Sequence, residues 1–193
     1  SAAVPAMAET DGEVSAGGNQ IALLAAKGET CDGGASCDHV AAVGGLHYDD
    51  LQSALDAAQS GEVTLLENVT VTSSVTISKN VTLNLNNHKI SSSDCAAVIV
   101  NDEVTTTVQN GTLSSTGKLT VANNGGNLTL KNCTVTTTNS DRAIQNDSEG
   151  TTNDAVLVLD NCTVTSSGGG IYDFGAGGTV ILHNNTSIDC IVD

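Results

Sequence analysis

The sequence predicts an all-β chain folded as a right-handed parallel β-helix, with about six coils of ~22 residues behind an N-terminal strand-plus-helix cap. Three observations predict it. An asparagine recurs at intervals of 19, 23, 22, 29 and 23 residues, apolar residues flank it at fixed offsets, and a further apolar segment closes most repeats. The recurring asparagines are Asn68, Asn87, Asn110, Asn132, Asn161 and Asn184.

Each asparagine marks a bend between two strands. The residue two positions before it is apolar in every repeat, and the residue three positions after it is apolar in all but the last. Because strand side chains alternate with a period of two, the buried parity changes at the asparagine. Asparagine is the non-glycine residue that best tolerates the positive φ of such a bend, and stacked amides can form a hydrogen-bonded ladder. One interior column should contain Leu66, Leu85, Val108, Leu130, Leu159 and Leu182.

A second polar column is predicted where the third strand of a coil ends. Its members each lie two residues after a β-branched residue, and they are Asn101, Asn123, Asn146 and Asp173.

The chain divides into three segments: a leader and linker over 1–30, a cap over 31–60 and the β-helix over 61–193. Because Asp193 falls in the middle of a repeat, we expect the chain to be truncated at its C-terminus. In the cap, 38–48 is predicted to form strand broken at Gly44-Gly45. A helix should then run from an N-cap at Asp49 or Asp50 to Ser60, with one apolar face. That face contains Leu51, Ala54, Leu55 and Ala58.

Composition excludes some classes of function. The net charge is −16 with only six Lys and Arg, which argues against nucleic acids and anionic membranes as partners. No apolar run approaches the roughly 20 residues of a membrane-inserted helix. Near the start, Ala6-Met7-Ala8 has the small-x-small form of a signal-peptide cleavage site, which indicates a secreted or cell-surface protein.

Three stretches carry a family resemblance. They are YDDLQSALDAA at 48–58, VTLLENV at 63–69 and VTISKNVTLNLNNHKI at 75–90. Together they resemble the start of pectate-lyase-like β-helix surface proteins of gut Gram-positive bacteria. The resemblance implies the fold, a bacterial source and a secreted, often wall-attached location. It implies no single activity, although adhesion or glycan contact is the expected role in that family.

The six cysteines give the most specific local signals. A disulfide between Cys31 and Cys37 is expected in a secreted protein, and a zinc site formed by Cys31, Cys37, His39 and His47 is the weaker alternative. Cys133 and Cys162 both follow a column asparagine in adjacent coils, so either a bridge or two buried thiols fits them. Cys95 and Cys190 lie four coils apart, about 19 Å, and should not be joined to each other.

An acidic stretch over 139–154 interrupts the repeat and is predicted to be a projecting loop. Acidic side chains there could bind Ca²⁺, and Arg142, Asp147 and Asp173 are the alternative catalytic residues of a polysaccharide lyase or hydrolase. A solvated acidic loop explains the same residues, so no residue is assigned as catalytic and no cofactor is expected.

Hydroxyl side chains follow the asparagines on the predicted outer face. The array consists of Thr70, Thr72, Thr112, Thr134, Thr136, Thr163 and Thr165. Threonine has high β-propensity, so the array can be purely structural. As a function it suggests a binding face, with ice binding as a minor alternative. We therefore expect a non-enzymatic scaffold or adhesin-like protein that contacts host or matrix glycans or proteins, and a polysaccharide-cleaving enzyme is the runner-up.

Overall fold

The computed structural model describes residues 28–31, 37–139 and 141–190, so the predicted cleavage site at Ala6-Met7-Ala8 and the C-terminal Asp193 lie outside the described residues. Within the described part, short strands stack in parallel as a β-helix of about six coils, as predicted. No helix among these residues has the length and apolar content needed to cross a membrane.

The cap begins with a β-hairpin. Strands β1 (Ala41–Val43) and β2 (Leu46–Tyr48) pair across a two-residue turn in which Gly44 and Gly45 have φ of 57° and 81°. Two successive positive φ values match the right-handed twist of the flanking strands, which is why glycines occupy the turn. Strand β1 also pairs antiparallel with β3 (Glu62–Leu65), the first strand of the β-helix, so the hairpin continues the sheet of the coils.

Helix α1 (Leu51–Ala57) follows the hairpin. The Asp50 side chain accepts a hydrogen bond from the backbone N–H of Ser53 at 2.8 Å, which is the predicted N-cap. The predicted apolar face is buried. The helix ends at Ala57 instead of Ser60, because Ala58 already has an extended backbone conformation.

Helix α1 also covers a free sheet edge. The Gln52 side chain donates to the backbone oxygen of Thr76 at 3.0 Å and accepts from its N–H at 2.8 Å. Thr76 belongs to β5 (Val75–Ile77), the edge strand of the second sheet. The amide therefore replaces a missing neighbouring strand, which is how a cap protects the end of a stack.

The coils follow in chain order. Coil one contains β3, β4 (Val69–Val71) and β5; coil two contains β6 (Thr82–Asn84), β7 (Lys89–Ser92) and β8 (Val98–Val100). Coil three contains β9 (Thr105–Ser115) and β10 (Val121–Asn124), and coil four contains β11 (Asn127–Thr137) and β12 (Ile144–Asp147). Coil five contains β13 (Val156–Asp160), β14 (Thr163–Ser166) and β15 (Ile171–Phe174); coil six contains β16 (Thr179–His183) and β17 (Ser187–Cys190).

Two parallel sheets result from this stacking. The first carries the order β16-β13-β11-β9-β6-β3 before the bend and β17-β14-β11-β9-β7-β4 after it. The second has the order β15-β12-β10-β8-β5. Leucine, isoleucine and valine fill the space between the sheets, with Leu83, Leu130 and Leu159 fully buried. The narrow interior explains why only 2% of the residues are aromatic.

The predicted interior column is correct in four coils and wrong in two. Register aligns Val108, Leu130, Leu159 and Leu182, but Val63 and Leu83 continue the column in place of Leu66 and Leu85. Leu66 is only half-buried, whereas Leu85 is fully buried at the next inward position. Leu182 keeps the register but is 51% exposed, because no described strand stacks above it.

The error has a backbone cause. Asn110, Asn132, Asn161 and Asn184 bend the chain with a single positive φ of 61°, 52°, 53° and 52°. Coil two uses two such residues in succession, Asn86 and Asn87, with φ of 50° and 65°; Asn68 has no positive φ. The bends of the first two coils are therefore built differently, and the column residue lies two positions before the predicted one in coil two and three positions before it in coil one.

The predicted asparagine ladder forms in the middle coils. Asn161 Nδ2 donates to Asn132 Oδ1 at 2.9 Å, and Asn132 Nδ2 donates to Asn110 Oδ1 at 3.1 Å. Below them Asn110 donates to Asn84, not to Asn87. At the other two predicted positions, Asn184 donates to the carboxylate of Asp160 and Asn68 accepts from the backbone N–H of Lys89.

The second polar column forms inside the stack. Asn123 Nδ2 donates to Asn146 Oδ1, and Asn146 Nδ2 donates to Asp173 Oδ1, both at 2.7 Å. Both asparagines are fully buried. Asn101 was predicted as the fourth member, but register places Val100 there. Asn123 Oδ1 consequently faces an apolar rung and is a buried oxygen with no hydrogen-bond donor.

Candidate functional site

A cluster of two cysteines and two histidines lies on the cap. Cys31, Cys37, His39 and His47 each offer one ligand atom, and these four atoms lie within 4.8 Å of one another. Cys31 Sγ is 2.6 Å from Cys37 Sγ and 3.1 Å from His39 Nδ1. Cys37 Sγ is 2.9 Å from His39 Nδ1 and 2.8 Å from His47 Nδ1. All four side chains are partly exposed.

Three stretches of chain bring these side chains together. His47 is held by strand β2 of the hairpin, and Glu29 pairs with it antiparallel through two backbone hydrogen bonds of 2.9 and 2.7 Å. Gly28 lies against the ring of Tyr48, where a Cβ atom would come within 2.5 Å of the ring. These contacts attach Cys31 to the edge of the hairpin. Gly28 and Glu29, which the sequence analysis places in the leader and linker over 1–30, therefore pack against the cap.

The electrostatics of the cluster favour a thiolate. Hydrogen bonds from Cys31, and then from His39 and His47, lower the pKa of Cys37 to about 6 against the opposing effect of desolvation. The hydrogen bond with Cys37, followed by the negative charges of Cys37, Asp49 and Glu29, raises the pKa of His39. His39 Nε2 lies 3.6 Å from an Asp49 oxygen and 3.9 Å from a Glu29 oxygen.

Two sulfurs and two imidazole nitrogens are the donor set of structural zinc sites. A carboxylate behind a ligating histidine is also a usual feature, because it fixes the ring and raises its basicity. The expected disulfide between Cys31 and Cys37 uses only two of the four side chains. It stays a prediction beside the zinc alternative, and both need the sulfur proximity that the structure provides.

The remaining cysteines lie in the β-helix and are thiols in the structure. Cys133 and Cys162 are buried in adjacent coils, with hydrogen bonds from their sulfurs to the backbone oxygens of Val108 and Leu130. The hydrogen bond with Cys162, together with burial, raises the pKa of Cys133. Cys95 follows β7 of coil two and Cys190 ends β17 of coil six, which confirms the coil separation behind the prediction that they are not joined.

The alternative catalytic base is already engaged. Arg142 Nε and Nη2 both donate to Gln145 Oε1, at 3.1 and 2.7 Å, and its guanidinium lies 4.9 Å from the centre of the Tyr172 ring. Asp141 lies 3.5 Å from Nη1. These contacts hold the guanidinium against Gln145, Asp141 and Tyr172, so it is poorly placed to act on a substrate.

The two alternative catalytic carboxylates do not converge. Asp173 pairs in register with Asn146, whereas Asp147 pairs with Phe174. Neighbouring residues of a strand point to opposite faces, so Asp173 continues the inward amide column and Asp147 points outward. Asp147 accepts from Gln145 Nε2 at 2.9 Å and from the backbone N–H of Glu149 at 2.8 Å.

The acidic stretch over 139–154 is partly strand. It contains β12, and a loop follows this strand. That loop folds back along the stack: Asp102 of coil two accepts from the backbone N–H groups of Thr152 and Asn153, at 2.5 and 3.3 Å. The bond from Thr152 is the main cause that lowers the pKa of Asp102. The acidic stretch is thus tied to the stack, and the prediction of a projecting loop was wrong.

Two paired rows run along the strands after the bend, and all their members except Lys89 and Asp189 are hydroxyl side chains. Neighbouring strands align Lys89, Thr112, Thr134, Thr163 and Ser187 in one row and Thr70, Ser91, Ser114, Thr136, Thr165 and Asp189 in the other. In coils two to five the members alternate with buried residues and therefore face outward. Of the predicted array, Thr70 belongs to the second row, whereas Thr72 follows the end of β4 and joins neither row.

A groove of about 530 Å³ lies between the start of α1 and the first coil. Asp49, Asp50 and Glu67 give it an acidic rim, and Val69 and Val71 line it. Two of its carboxylates have structural contacts, because Asp50 caps α1 and Asp49 faces His39.

No family model matches the chain, and no curated protein or solved structure matches it either. The chemistry of its own residues is therefore the basis for a functional proposal.

Proposed function

We propose that this protein is a non-enzymatic β-helix scaffold, secreted or displayed on a bacterial cell surface, that contacts glycans or proteins outside the cell. The pair of outward hydroxyl rows carries the proposal. They repeat at the ~4.8 Å spacing of stacked strands and ~6.6 Å along each strand, which presents a flat lattice of donors and acceptors. Hydroxyl and amide groups are suited to the hydroxyl groups of a carbohydrate or to the polar surface of a protein.

The rigidity of the backbone supports this role. In coils three to five every strand after the bend pairs with a strand below and a strand above, and the exposed ladder of Asn110, Asn132 and Asn161 runs beside the rows. A lattice held in this way loses little conformational entropy when it binds a partner, so many weak contacts can add up.

The three residues considered for the alternative enzyme hypothesis all make contacts within the protein. Arg142 is stacked on Tyr172, Asp173 belongs to the inward column, and Asp147 accepts hydrogen bonds from its own strand and loop. A lyase requires a base that can accept a proton, and a hydrolase requires two carboxylates about 5–9 Å apart on one face. Arg142 is held by contacts within the protein, and Asp147 and Asp173 point to opposite faces, which supports the scaffold over this enzyme.

Valine substitution tests the face, because it removes the hydroxyl and keeps the shape and β-propensity. The variant Thr112→Val/Thr134→Val alters the first row on β9 and β11. The matched control Thr107→Val/Thr129→Val alters outward threonines of the same two strands before the bend. Binding to immobilised mucin glycans, glycosaminoglycans and pectin is measured, and the first variant should bind at least about tenfold more weakly than the control.

Equal binding by both variants would show that the hydroxyl rows do not bind these glycans. The same polysaccharides, incubated with the chain and Ca²⁺, test the enzyme reading. If the chain produced new reducing or unsaturated ends and the variant Asp147→Ala/Asp173→Ala did not, the scaffold proposal would be wrong and the protein would be an enzyme.

A further inference from the structure

The cysteine–histidine cluster of the cap is independent of the proposed binding face. Its four ligand atoms come from three stretches of chain. Cys31 lies in the segment at the hairpin edge, Cys37 and His39 lie just before β1, and His47 lies in β2. Partly exposed polar side chains can each be solvated by water, so packing alone gives them no reason to converge. Their convergence points to a shared ligand.

A disulfide accounts for the two sulfurs but not for the histidines. Both rings turn Nδ1 toward Cys37 Sγ, at 2.9 and 2.8 Å, and they meet edge to face with centroids 5.7 Å apart. Two thiols and two imidazoles whose ligand atoms lie within 4.8 Å of one another match the donor set of a tetrahedral zinc site.

We propose that Cys31, Cys37, His39 and His47 bind one structural zinc ion. Four protein ligands close the coordination shell, which is typical of structural and not of catalytic zinc. Two thiolates neutralise the charge of Zn²⁺, and Asp49 and Glu29 behind His39 Nε2 add negative charge in the outer shell. Zn–S and Zn–N bonds of ~2.3 and ~2.0 Å require ligand atoms about 3.3–3.8 Å apart. Small side-chain rotations supply the difference from the observed 2.6–3.1 Å.

The ion would fasten the segment at Glu29 and Cys31 to the hairpin. Glu29 already exchanges two backbone hydrogen bonds with His47, and the hairpin in turn pairs with β3 of the first coil. A metal at this point therefore stabilises the cover over the first coil. Binding energy gained only in the folded state is folding energy, so the cap should depend on the metal.

The test uses the full chain, purified under reducing conditions without chelator. Elemental analysis should find one zinc per chain. After removal of zinc, titration with Co²⁺ should give the visible bands of a tetrahedral ion together with thiolate-to-cobalt charge-transfer absorption. Each of Cys37→Ser and His47→Asn should weaken zinc binding at least about 100-fold. The matched controls Cys95→Ser and His88→Asn, which change the same residue types in the coils, should bind zinc like the parent.

Circular dichroism of each variant checks that the β-helix is intact, and the cobalt spectrum of the parent chain gives a result that needs no variant. Absence of tetrahedral cobalt bands, or undiminished zinc binding in both ligand variants, would overturn the proposal. Recovery of a Cys31–Cys37 cross-linked peptide from the chain as isolated from its producing cells, with no zinc bound, would overturn it in favour of the disulfide.

Discussion

Coils one and two differ from coils three to five in how the chain turns the same corner. In the middle coils one asparagine with positive φ makes the bend, and the strands on both sides of it stay in register. In coil two the bend takes two positive-φ residues, Asn86 and Asn87, and in coil one Asn68 makes it without any. The difference shows that the asparagine sets register only where it bends the backbone itself.

The leucine two positions before each asparagine should reveal the largest difference between these regions. Leu130 is fully buried in the interior column, whereas Leu66 is half-buried outside it. Leu130→Ala should lower the free energy of unfolding by about 2–5 kcal/mol, because it removes buried methyl groups and leaves a cavity. Leu66→Ala should cost about 1 kcal/mol or less. Urea unfolding followed by circular dichroism measures both, and equal losses would contradict the register.

The inward amide column offers a second comparison, at its lower end. Asn123 Oδ1 has no donor because Val100 lies beneath it. An asparagine at 100 can donate to that oxygen and lengthen the column by one coil. Val100→Asn should therefore cost about 1–2 kcal/mol less than Val98→Asn, since position 98 is equally buried in the same strand but stacks under Val121. Unfolding of the two variants side by side measures the difference, and a larger loss for Val100→Asn would refute the proposed extension.

The same comparison separates the features that the sequence predicts from those that it does not. The fold, the ladder from Asn110 to Asn161 and the apolar face of α1 were predictable, because each depends on a short-range pattern of polarity. The register of Leu66 and Leu85 was not, because it depends on backbone geometry in a longer bend. The interval of 19 residues between Asn68 and Asn87, and the Asn86-Asn87 doublet, were the signals that this bend differs.

The candidate sites likewise depend on long-range contacts that the sequence does not predict. Spacing alone cannot bring Cys31, Cys37 and His39 to His47, because the last residue arrives through the Gly44-Gly45 hairpin. The cluster was therefore only the weaker alternative to a disulfide. Asp147 and Asp173 were paired by proximity along the stack, but a one-residue difference in register puts them on opposite faces. The link from Asp102 to the acidic loop spans 50 residues and has no sequence pattern.

The bend asparagines themselves provide a third, smaller contrast. Asn132 has φ of 52° and belongs to the ladder, so Asn132→Ala should cost about 1–2 kcal/mol from backbone strain, in addition to two lost amide bonds. Asn132→Gly removes the ladder bonds without the strain and should cost less. Asn68→Ala should be the mildest of the three, because Asn68 has no positive φ. Thermal unfolding ranks them, and a larger loss for Asn68→Ala than for Asn132→Ala would show that neither the positive φ nor the ladder bonds of Asn132 contribute as expected.

The smallest effect should be confined to the loop that follows β12. The bond from the Thr152 N–H, with that from Asn153, lowers the pKa of Asp102 below its ordinary value. A lowered pKa means that the ionised carboxylate stabilises the docked loop. This contribution is fully present above the ordinary aspartate pKa of 3.8 and is lost as the pH falls through the lower folded value. Hydrogen-exchange protection of the Thr152 and Asn153 amides should therefore fall on acidification.

Asp102→Asn should give low protection of these two amides at all pH values and leave the amides of β11 unchanged, because local opening of a loop does not require the coils to separate. Glu103→Gln is the matched control, since it removes the neighbouring negative charge and keeps the Asp102 carboxylate; it should retain the parent's pH dependence. If Glu103→Gln lost protection to the same extent, the loop would respond to the general negative field of this region and not to its two hydrogen bonds. If Asp102→Asn also exposed β11, the loop would be part of the cooperative unit of the middle coils.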